Sequence, residues 1–441
     1  MKRRSFVTSP LVVALALVAA QAQTQDSSIN SMSRPRRVSS ATQPSHTPAG
    51  EPGPQASRTP METAPQADTS DRPAAMSTQG SDPAVGETEA SQSATVLHQL
   101  TPSLARARIA EAERLLKSHP LQTAMTSPSI ESVTLAALER STSRIHLITL
   151  SKETFLTKGA ELTQTSSLGA PLSIRVLRAN GVNTAVTIFD DAGRYLVPLV
   201  VEFPIEKRGV FREMAYYTSA HPALLSPELV RAGQSYVGMM VDLAAKRLRE
   251  KGALISPKIV ELAERLCLVE HVDHERFRLE NHIALFDEIY TLYALNQLDT
   301  YRYSVSSAGA GGMVQMIPWA YNLIRQRHPA VSLTPDFVAG MRNHANALQA
   351  MLLYMQDTWA DLAANEDVQN ALSSGTATQT ELLAAGYNSN AAHLPLYLRR
   401  AGQAWRTLIP RETQTYLQIY KTVDGLVPSK PRSGVGSPAM D

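Results

Sequence analysis

The spacing of apolar residues changes along the chain, and each change marks a different kind of structure. Between Ser143 and Ser219, β-branched and aromatic residues recur with a period of two and are separated by turn residues, which is typical of antiparallel strands. From Ser226 almost to the end, apolar residues recur at intervals of three and four, as on the buried face of α-helices. The pattern therefore predicts a small antiparallel β unit over 143–219 and a mainly helical domain over 220–425.

The β unit contains five apolar runs that we interpret as strands, and they occupy Ile145–Leu150, Leu172–Leu177, Thr184–Phe189, Tyr195–Phe203 and Val210–Tyr217. Asn180-Gly181 and Asp191-Ala192-Gly193 are hairpin signals between them. We find no clustered His, Asp or Glu in this unit. We therefore expect a sandwich that packs on the helical domain or extends it.

Serine-proline pairs mark two helix starts in the second domain, because serine offers a capping oxygen and proline suits the first helical position. These pairs are Ser226-Pro227 and Ser256-Pro257. Further helices are expected at Ile283–Tyr293, Trp319–Ile324, Phe337–Tyr354, Glu381–Leu398 and Thr413–Tyr420. A short helical segment is expected over 96–142, with one helix from Thr101-Pro102 to about Lys117 and a second, after Ser127-Pro128, over Ile130–Leu138.

Residues 1–22 have the features of a secretory signal peptide. Three basic residues precede the ten apolar residues Leu11–Ala20, and Ala20-Gln21-Ala22 resembles a cleavage site. A membrane-spanning helix needs about 20 apolar residues, so an uncleaved anchor is the less favoured interpretation. We expect an exported protein of the periplasm or cell envelope, without a transmembrane segment after cleavage.

Residues 23–95 are predicted to be a disordered tether. No Phe, Trp or Tyr lies between Phe6 and Phe155, and the segment is rich in Pro, Ser and Thr. Such a composition cannot bury enough apolar surface to offset the conformational entropy of the chain. A flexible tail is expected over 426–441. The fold class is thus α+β and multidomain, with a mainly helical domain preceded by a β unit and a tether.

Charge and cysteine content exclude several classes of function. Lys and Arg number 42 and Asp and Glu 40, a formal charge of +2, which argues against a dedicated nucleic-acid-binding protein. The single cysteine, Cys267, excludes an internal disulfide framework and multi-cysteine metal sites, and is interpreted as a core residue. His271, Asp273 and His274 lack the His-Glu-x-x-His pattern. We expect no metal and no cofactor.

Glu270 is the first candidate for chemistry. On a helix beginning at Pro257, it is the one carboxylate that falls on the apolar stripe of Ile259 and Leu266. Burial, together with the negative end of the helix dipole, is expected to raise its pKa. A carboxyl group still protonated near neutrality suits a general acid. The alternative is that the helix ends one residue earlier and Glu270 is solvated.

A second feature follows downstream, where residues 306–318 read Ser-Ser-Ala-Gly-Ala-Gly-Gly-Met-Val-Gln-Met-Ile-Pro. This resembles the Ser-x-x-Gly-Ala-x-Gly-Leu-Met-Gln-x-Met-Pro signature of lytic transglycosylases with an SLT-type, goose-type lysozyme-like domain. Three further segments resemble motifs of the family and follow in the same order as in the family. They are Asn346–Tyr354, Ala385-Gly386-Tyr387-Asn388 and Glu412-Thr413 with Tyr416. The resemblance covers about 223–421 and implies a lysozyme-like fold for the helical domain.

One departure from the family leaves the position of the acid open. The family's catalytic Glu, followed by Ser, stands nine residues before the signature, and that position holds Gln297. We favour the alignment of Glu270-His271 with Glu-Ser, with Phe277 as the family's aromatic residue and an inserted helix over Asn281–Leu298. Glu288 in that insert is expected on a solvated face, whereas Gln297 is expected to be packed or hydrogen-bonded. Glu288, or no acid at all, remains the alternative.

The resemblance implies cleavage of the β-1,4 bond between MurNAc and GlcNAc in peptidoglycan. Glu270 would act as acid and then as base, and the C6 hydroxyl of MurNAc would close a 1,6-anhydro ring. The substrate-binding residues implied are Ser306, Gly309, Gln315, Ile317, Tyr387 and Asn388. Glycines at 309, 311 and 312 are expected to let the glycan approach the backbone.

Three functional interpretations follow from this resemblance. The first is an exported lytic transglycosylase that acts on glycan strands. The second is a hydrolytic muramidase, which differs only in its product. The third is an inactive lysozyme-like protein that binds peptidoglycan. In each case a cell-envelope protein partner is considered for the β unit, and no nucleic acid is expected.

Overall fold

The computed structural model describes residues 100–118, 130–306, 308–428 and residue 432. Within these ranges the chain forms one antiparallel sheet and 13 α-helices, which confirms the α+β class. The predicted signal peptide, the tether and most of the predicted C-terminal tail lie outside the described residues. Residues 96–441 form one unit, apart from residues 1–95.

Seven strands form the sheet, in the order β2-β1-β6-β5-β4-β3, with β7 paired to β6. Their bounds are β1 Ser132–Glu139, β2 Arg144–Ser151, β3 Glu161–Thr165, β4 Pro171–Arg178, β5 Ala185–Asp190, β6 Tyr195–Lys207 and β7 Val210–Tyr217. The long strand β6 pairs with β1 along one edge. Its other edge is shared by β5 at the start and β7 at the end.

The sheet curls until its two ends meet. Beyond β3, the Ser167 amide donates to the Leu147 carbonyl oxygen in β2 over 2.8 Å. The enclosed face carries a core that includes Ile148, Phe155 and Ile188. A single curled sheet therefore stands where a sandwich was predicted, and that prediction was wrong.

The five predicted strands are confirmed as β2, β4, β5, β6 and β7, but two strands were not foreseen. The helix predicted over Ile130–Leu138 is wrong, because β1 occupies Ser132–Glu139. This strand is buried on both faces, so it lacks the alternation that reveals a half-buried strand. The sequence of β3, Glu-Leu-Thr-Gln-Thr, is short and polar and gives little signal.

Helix α1, Pro102–Ser118, begins after Thr101 as predicted and covers the outer face of the sheet. Its buried residues Ala105, Ala112 and Leu116 share a core with Leu138 of β1. The one-turn helix α2, Lys152–Phe155, follows β2 and contributes Phe155 to the enclosed core.

Eleven helices make up the rest of the described chain, and they are α3 Pro227–Glu250, α4 Pro257–Val269, α5 His274–Leu279, α6 His282–Asn296, α7 Pro318–Arg327, α8 Phe337–Arg342, α9 His344–Ala363, α10 Glu366–Ser373, α11 Gln379–Asn388, α12 Leu394–Ala401 and α13 Arg411–Leu426. Among the described helices, none has the length and apolarity that crossing a bilayer requires.

Polar residues at helix ends explain where the observed helices differ from the predicted ones. The predicted helix over Phe337–Tyr354 is split, because the Asn343 side chain accepts from the Asn346 amide and starts α9. The one over Glu381–Leu398 is split where α11 ends at Asn388. Ser226 caps α3 as expected. Ser256 makes no side-chain cap; its amide donates to Gln356 instead.

Helix α6 joins the sheet to the helices, so the prediction that the β unit packs on the helical domain is confirmed. The Asn296 side chain accepts from the Thr218 amide over 2.9 Å and donates to the Thr218 carbonyl over 2.8 Å. One turn earlier, Leu292 belongs to the core of the sheet. Arg432, the one described residue beyond Pro428, pairs with Asp242.

Helices α3 and α6 cross so closely that a glycine is required. A Cβ atom at Gly233 would lie 1.9 Å from the carbonyl oxygen of Tyr290. We therefore expect Gly233→Ala to lower the free energy of unfolding by more than about 2 kcal/mol, because the two backbones would have to separate. Urea unfolding followed by circular dichroism measures this change.

Gly425→Ala is the matched control, because Gly425 lies in α13 with no atom within 4 Å of an added Cβ. There the same change should raise the free energy of unfolding by about 0.5 kcal/mol through helix propensity. Equal effects of the two substitutions would contradict this account of the α3–α6 crossing.

Candidate active site

Glu270 lies at the end of α4 and faces α13. The helix ends at Val269 and Glu270 is its C-cap residue, so the helix is one residue shorter than expected. The residue is nevertheless only partly exposed, whereas that alternative implied a solvated side chain. The Tyr416 hydroxyl donates to the Glu270 carboxyl Oε1 over 2.6 Å. Ile259 and Leu266 form the buried face of α4, as predicted.

The surroundings of Glu270 favour the protonated carboxyl. Burial raises the pKa of Glu270 to about 8; the hydrogen bond from Tyr416 opposes that change, and the charge of Glu412 adds to it. Near neutrality most molecules therefore carry a proton on this group. The direction is the one expected from the sequence, and it makes Glu270 able to donate a proton to a leaving oxygen.

His271 connects the end of α4 to the loop over 304–318, which we call the signature loop. Its Nε2 lies 3.0 Å from the Met313 carbonyl oxygen, and because a carbonyl only accepts, Nε2 carries the hydrogen. The imidazole is stacked on the Tyr301 ring, with centroids 3.3 Å apart and planes at 2°. The residue next to Glu270 thus contacts the signature loop directly.

The signature loop is folded by its own hydrogen bonds. Gly311 forms β-bridges with both Val305 and Met316. The Ser306 hydroxyl oxygen accepts from the Ala310 amide over 3.0 Å. Ser306 therefore shapes the loop, and four of the predicted binding residues, Ser306, Gly309, Gln315 and Ile317, lie in this one segment.

Gln315 has the left-handed backbone conformation, with φ of 45°, which is strained for a residue with a side chain. Its Nε2 donates to the Gly312 carbonyl over 2.8 Å and to the Ser304 hydroxyl oxygen over 3.2 Å. The side chain is therefore held against its own loop and has a fixed orientation.

The glycines of the loop serve a different purpose from the one expected. A Cβ atom at Gly312 would lie 2.4 Å from the Met341 carbonyl oxygen, and one at Gly311 would touch Met341 and Phe337. A side chain at either position would therefore point toward α8. The expectation that these two glycines open the backbone to a glycan was wrong. Gly309, with φ of 78°, has only Pro318 at 4.0 Å.

An exposed apolar surface follows the loop at the start of α7. Ile317 is 38% exposed and Trp319 is 52% exposed. Aromatic and aliphatic side chains at this exposure can pack against the apolar face of a sugar ring. Trp319 was not chosen from the sequence as a site residue, although a tryptophan directly after the Pro318 helix start was a usable signal.

Tyr387 holds the loop from the other side. Its hydroxyl donates to the Val314 carbonyl over 2.7 Å, and its ring meets Tyr354 edge-on at 5.9 Å. Burial raises the pKa of Tyr387 well above its ordinary value, and the charge of Glu270 adds to the effect. The two groups thus interact, but the tyrosine that donates to Glu270 is Tyr416, to which sequence analysis gave no role.

Asn388 has a bracing role. Its Oδ1 accepts from the Thr413 hydroxyl over 2.8 Å, which joins the end of α11 to the start of α13. Because α13 also carries Tyr416, this contact fixes the helix that holds the Glu270 carboxyl. Its observed contact is therefore structural.

The alternative acid Glu288 is held in an ion-pair network. Its carboxyl contacts Arg276 at 2.7 Å and Arg178 at 3.0 Å. Burial alone would raise the pKa of Glu288, but the bonds and charges of the two arginines hold it below its ordinary value. The expected solvated face is wrong, since the side chain is only 16% exposed. Gln297 is exposed, so its expected packing is wrong too.

The residues weighed as metal ligands have other partners. Asp273 caps α5 by accepting from the amides of Glu275 and Arg276, and His271 binds Met313. Across the described ranges there is no group of three or more His, Cys, Asp or Glu side chains that could hold a metal ion. Cys267 is a buried core residue, as expected.

Comparison with known proteins gives no family for this chain: no protein-family model, no curated protein and no solved structure matches it. The functional conclusion therefore depends on the site itself. Glu270 is linked through His271 to Met313, and Tyr387 to the adjacent Val314. The acid and the signature loop are thus brought together around residues 313–314.

A pH-dependent stability follows from the pKa of Glu270. Between pH 4.5 and about 8 the unfolded chain loses this proton while the folded protein keeps it, so wild-type stability falls as pH rises. Glu270→Gln has no such loss. We expect the variant to gain about 2–4 kcal/mol on the wild type across this window, measured by urea unfolding at several pH values.

Glu288→Gln is the control with the opposite sign. The lowered pKa of Glu288 contributes stability above its ordinary pKa and loses it as pH falls. That variant should be destabilised by about 1–3 kcal/mol at neutral pH and less in acid. If Glu270→Gln gave no gain in alkaline solution, the buried niche would be disproved.

Proposed function

We propose that this protein is an exported lytic transglycosylase that cleaves the β-1,4 MurNAc–GlcNAc bond of peptidoglycan. The observation that carries the proposal is the Glu270 carboxyl, whose pKa is raised to about 8 beside a loop with the transglycosylase-like signature. On this proposal α3 to α13 correspond to a lysozyme-like domain. Glycan strands of the cell envelope are the substrate.

The first step is proton transfer to the leaving group. The protonated Glu270 donates to the glycosidic oxygen, the bond from C1 of MurNAc to that oxygen breaks, and positive charge develops at C1. Burial of the acid favours this step, because the protonated form is available near neutrality. The Tyr416 hydroxyl, 2.6 Å from Oε1, then stabilises the carboxylate that forms.

The second step closes the ring. The Glu270 carboxylate accepts the proton of the MurNAc C6 hydroxyl, and that oxygen forms the new bond to C1. The product is 1,6-anhydro-MurNAc, and the acid is regenerated. This route uses one carboxyl group, whereas most glycosidases use two.

The signature loop provides the surface that would orient the sugar. Ser306, Gly309 and Gln315 shape its backbone, and Ile317 with Trp319 offers an exposed apolar face. Tyr387 and Asn388 act behind it by holding the loop and α13. Export to the periplasm or cell envelope, and a protein partner for the β unit, remain parts of the proposal.

Zymography on purified peptidoglycan tests the catalytic role. The wild type should clear the glycan, and Glu270→Gln should lose about a hundredfold or more of that activity because an amide cannot donate the proton. Glu250→Gln, on the exposed end of α3, is the matched control and should keep full activity. Equal clearing by Glu270→Gln would overturn the assignment of the acid.

Mass spectrometry of the released muropeptides decides the reaction. A transglycosylase yields anhydro ends that are one water lighter than hydrolysed ends. Hydrolysed ends would instead establish a muramidase. Glycan that is bound by the wild type without being cleaved would support the binding interpretation.

A further inference from the structure

His271 makes two contacts that place the signature loop beside the acid. Its ring is stacked on Tyr301 and its Nε2 donates to the Met313 carbonyl over 3.0 Å. We propose that His271 is a positioning residue, whose imidazole holds the signature loop at a fixed place relative to the Glu270 carboxyl. The inference rests on the proposed function, which it extends by assigning a role to the residue after the acid.

Tyr301 gives the imidazole a fixed support. Its ring packs against the core of the helices and against the core of the sheet, and it meets Tyr293 edge-on at 5.3 Å. Tyr293 is fully buried and donates to the Cys267 carbonyl of α4 over 2.9 Å. The stack therefore connects His271 to the rigid interior on which α4 itself is packed.

The loop needs such a support because its backbone is strained. Gln315 has a positive φ of 45°, and a strained conformation of this kind persists only where surrounding contacts impose it. His271 holds the Met313 carbonyl and Tyr387 holds the next one, that of Val314. Two successive carbonyls are thus fixed from two different elements, the turn after α4 and helix α11.

The imidazole is suited to this task because it stays neutral. Burial lowers the pKa of His271 to about 3, with the Met313 carbonyl opposing and His344 assisting that shift. Nε2–H is therefore retained as a donor over the range in which Glu270 exchanges its proton. The contact with Met313 persists while the acid changes charge.

A second histidine serves as a matched control. His282 is stacked on Phe277, with centroids 4.2 Å apart and planes at 11°, and its Nε2 lies 2.9 Å from the Phe277 carbonyl oxygen. It makes the same two kinds of contact, but at the corner between α5 and α6. If His271 mattered only for packing, substitutions at the two positions would have similar effects.

Four variants separate positioning from packing, and they are His271→Leu, His271→Gln, His282→Leu and His282→Gln. Glutamine keeps an amide donor for the carbonyl, whereas leucine removes it. We expect His271→Leu to lower kcat on purified glycan strands about 10- to 100-fold with little change in KM, because the bound sugar is displaced from the acid. His271→Gln should stay within about threefold of the wild type, since a positioned donor remains.

The His282 variants should keep wild-type kcat. A folded His271→Leu protein whose kcat equals that of His282→Leu would overturn the proposal. So would equal losses in His271→Gln and His271→Leu, because then the donor would not matter. Circular dichroism and thermal unfolding establish that each variant is folded before these comparisons are made.

Hydrogen exchange provides a readout that does not depend on activity. The Gly311 and Gly312 amides donate within the loop, to the Met316 and Ser304 carbonyls. In His271→Leu these amides should exchange at least about tenfold faster than in the wild type, and in His282→Leu they should not. Unchanged exchange would refute the holding role even if the wild type cleaved no glycan, whereas faster exchange in an inactive protein would contradict the proposed function alone.

Discussion

The hydrogen bond from the Tyr416 hydroxyl to the Glu270 carboxyl is the contact on which the site depends. It connects the end of α4 to α13, two helices that are far apart in sequence. A buried carboxylate is costly, so the niche keeps the proton on Glu270 while one hydroxyl remains ready to stabilise the charged form. These opposed effects of burial and hydrogen bonding would suit the acid and base role that we propose for Glu270.

The signature loop is organised around this acid by backbone contacts. Its glycines fit against α8, its glutamine bonds to its own loop, and its Met313 and Val314 carbonyls are held by His271 and Tyr387. The residues of the signature loop thus form a rigid support, and the exposed side chains of Ile317 and Trp319 provide its surface. Loop and acid are fixed by neighbours in the same fold, an arrangement that would suit the orientation of a substrate in the proposed reaction.

Sequence periodicity was sufficient for most of the fold. Strands such as β7 and helices such as α3 were predictable because each has one buried face and clear turn or capping residues. Strand β1 was not, because burial on both faces removes the alternating pattern. The curl of the sheet could not be predicted from the sequence either, because it depends on contacts between residues that are separated along the chain, such as Leu147 and Ser167.

The candidate site was predictable in part for the same reason. The position of Glu270 on an apolar stripe was visible from local spacing, and so was the direction of its pKa. The partner Tyr416 and the connection from His271 to Met313 were not, because they join residues 146 and 42 positions apart. The environment of Glu288 could not be predicted either, because its position on a helical face does not reveal the arginines supplied by β4 and α5.

A direct titration of Glu270 tests whether this carboxyl holds its proton near neutrality. Carbon-13 NMR of the glutamate side-chain carboxyls, with the Glu270 signal assigned by its loss in Glu270→Gln, gives the pKa of the group in the folded protein. We expect a midpoint of about 8. A midpoint near the ordinary value of 4.5 would show that the carboxyl is solvated and would refute its role as an acid near neutrality.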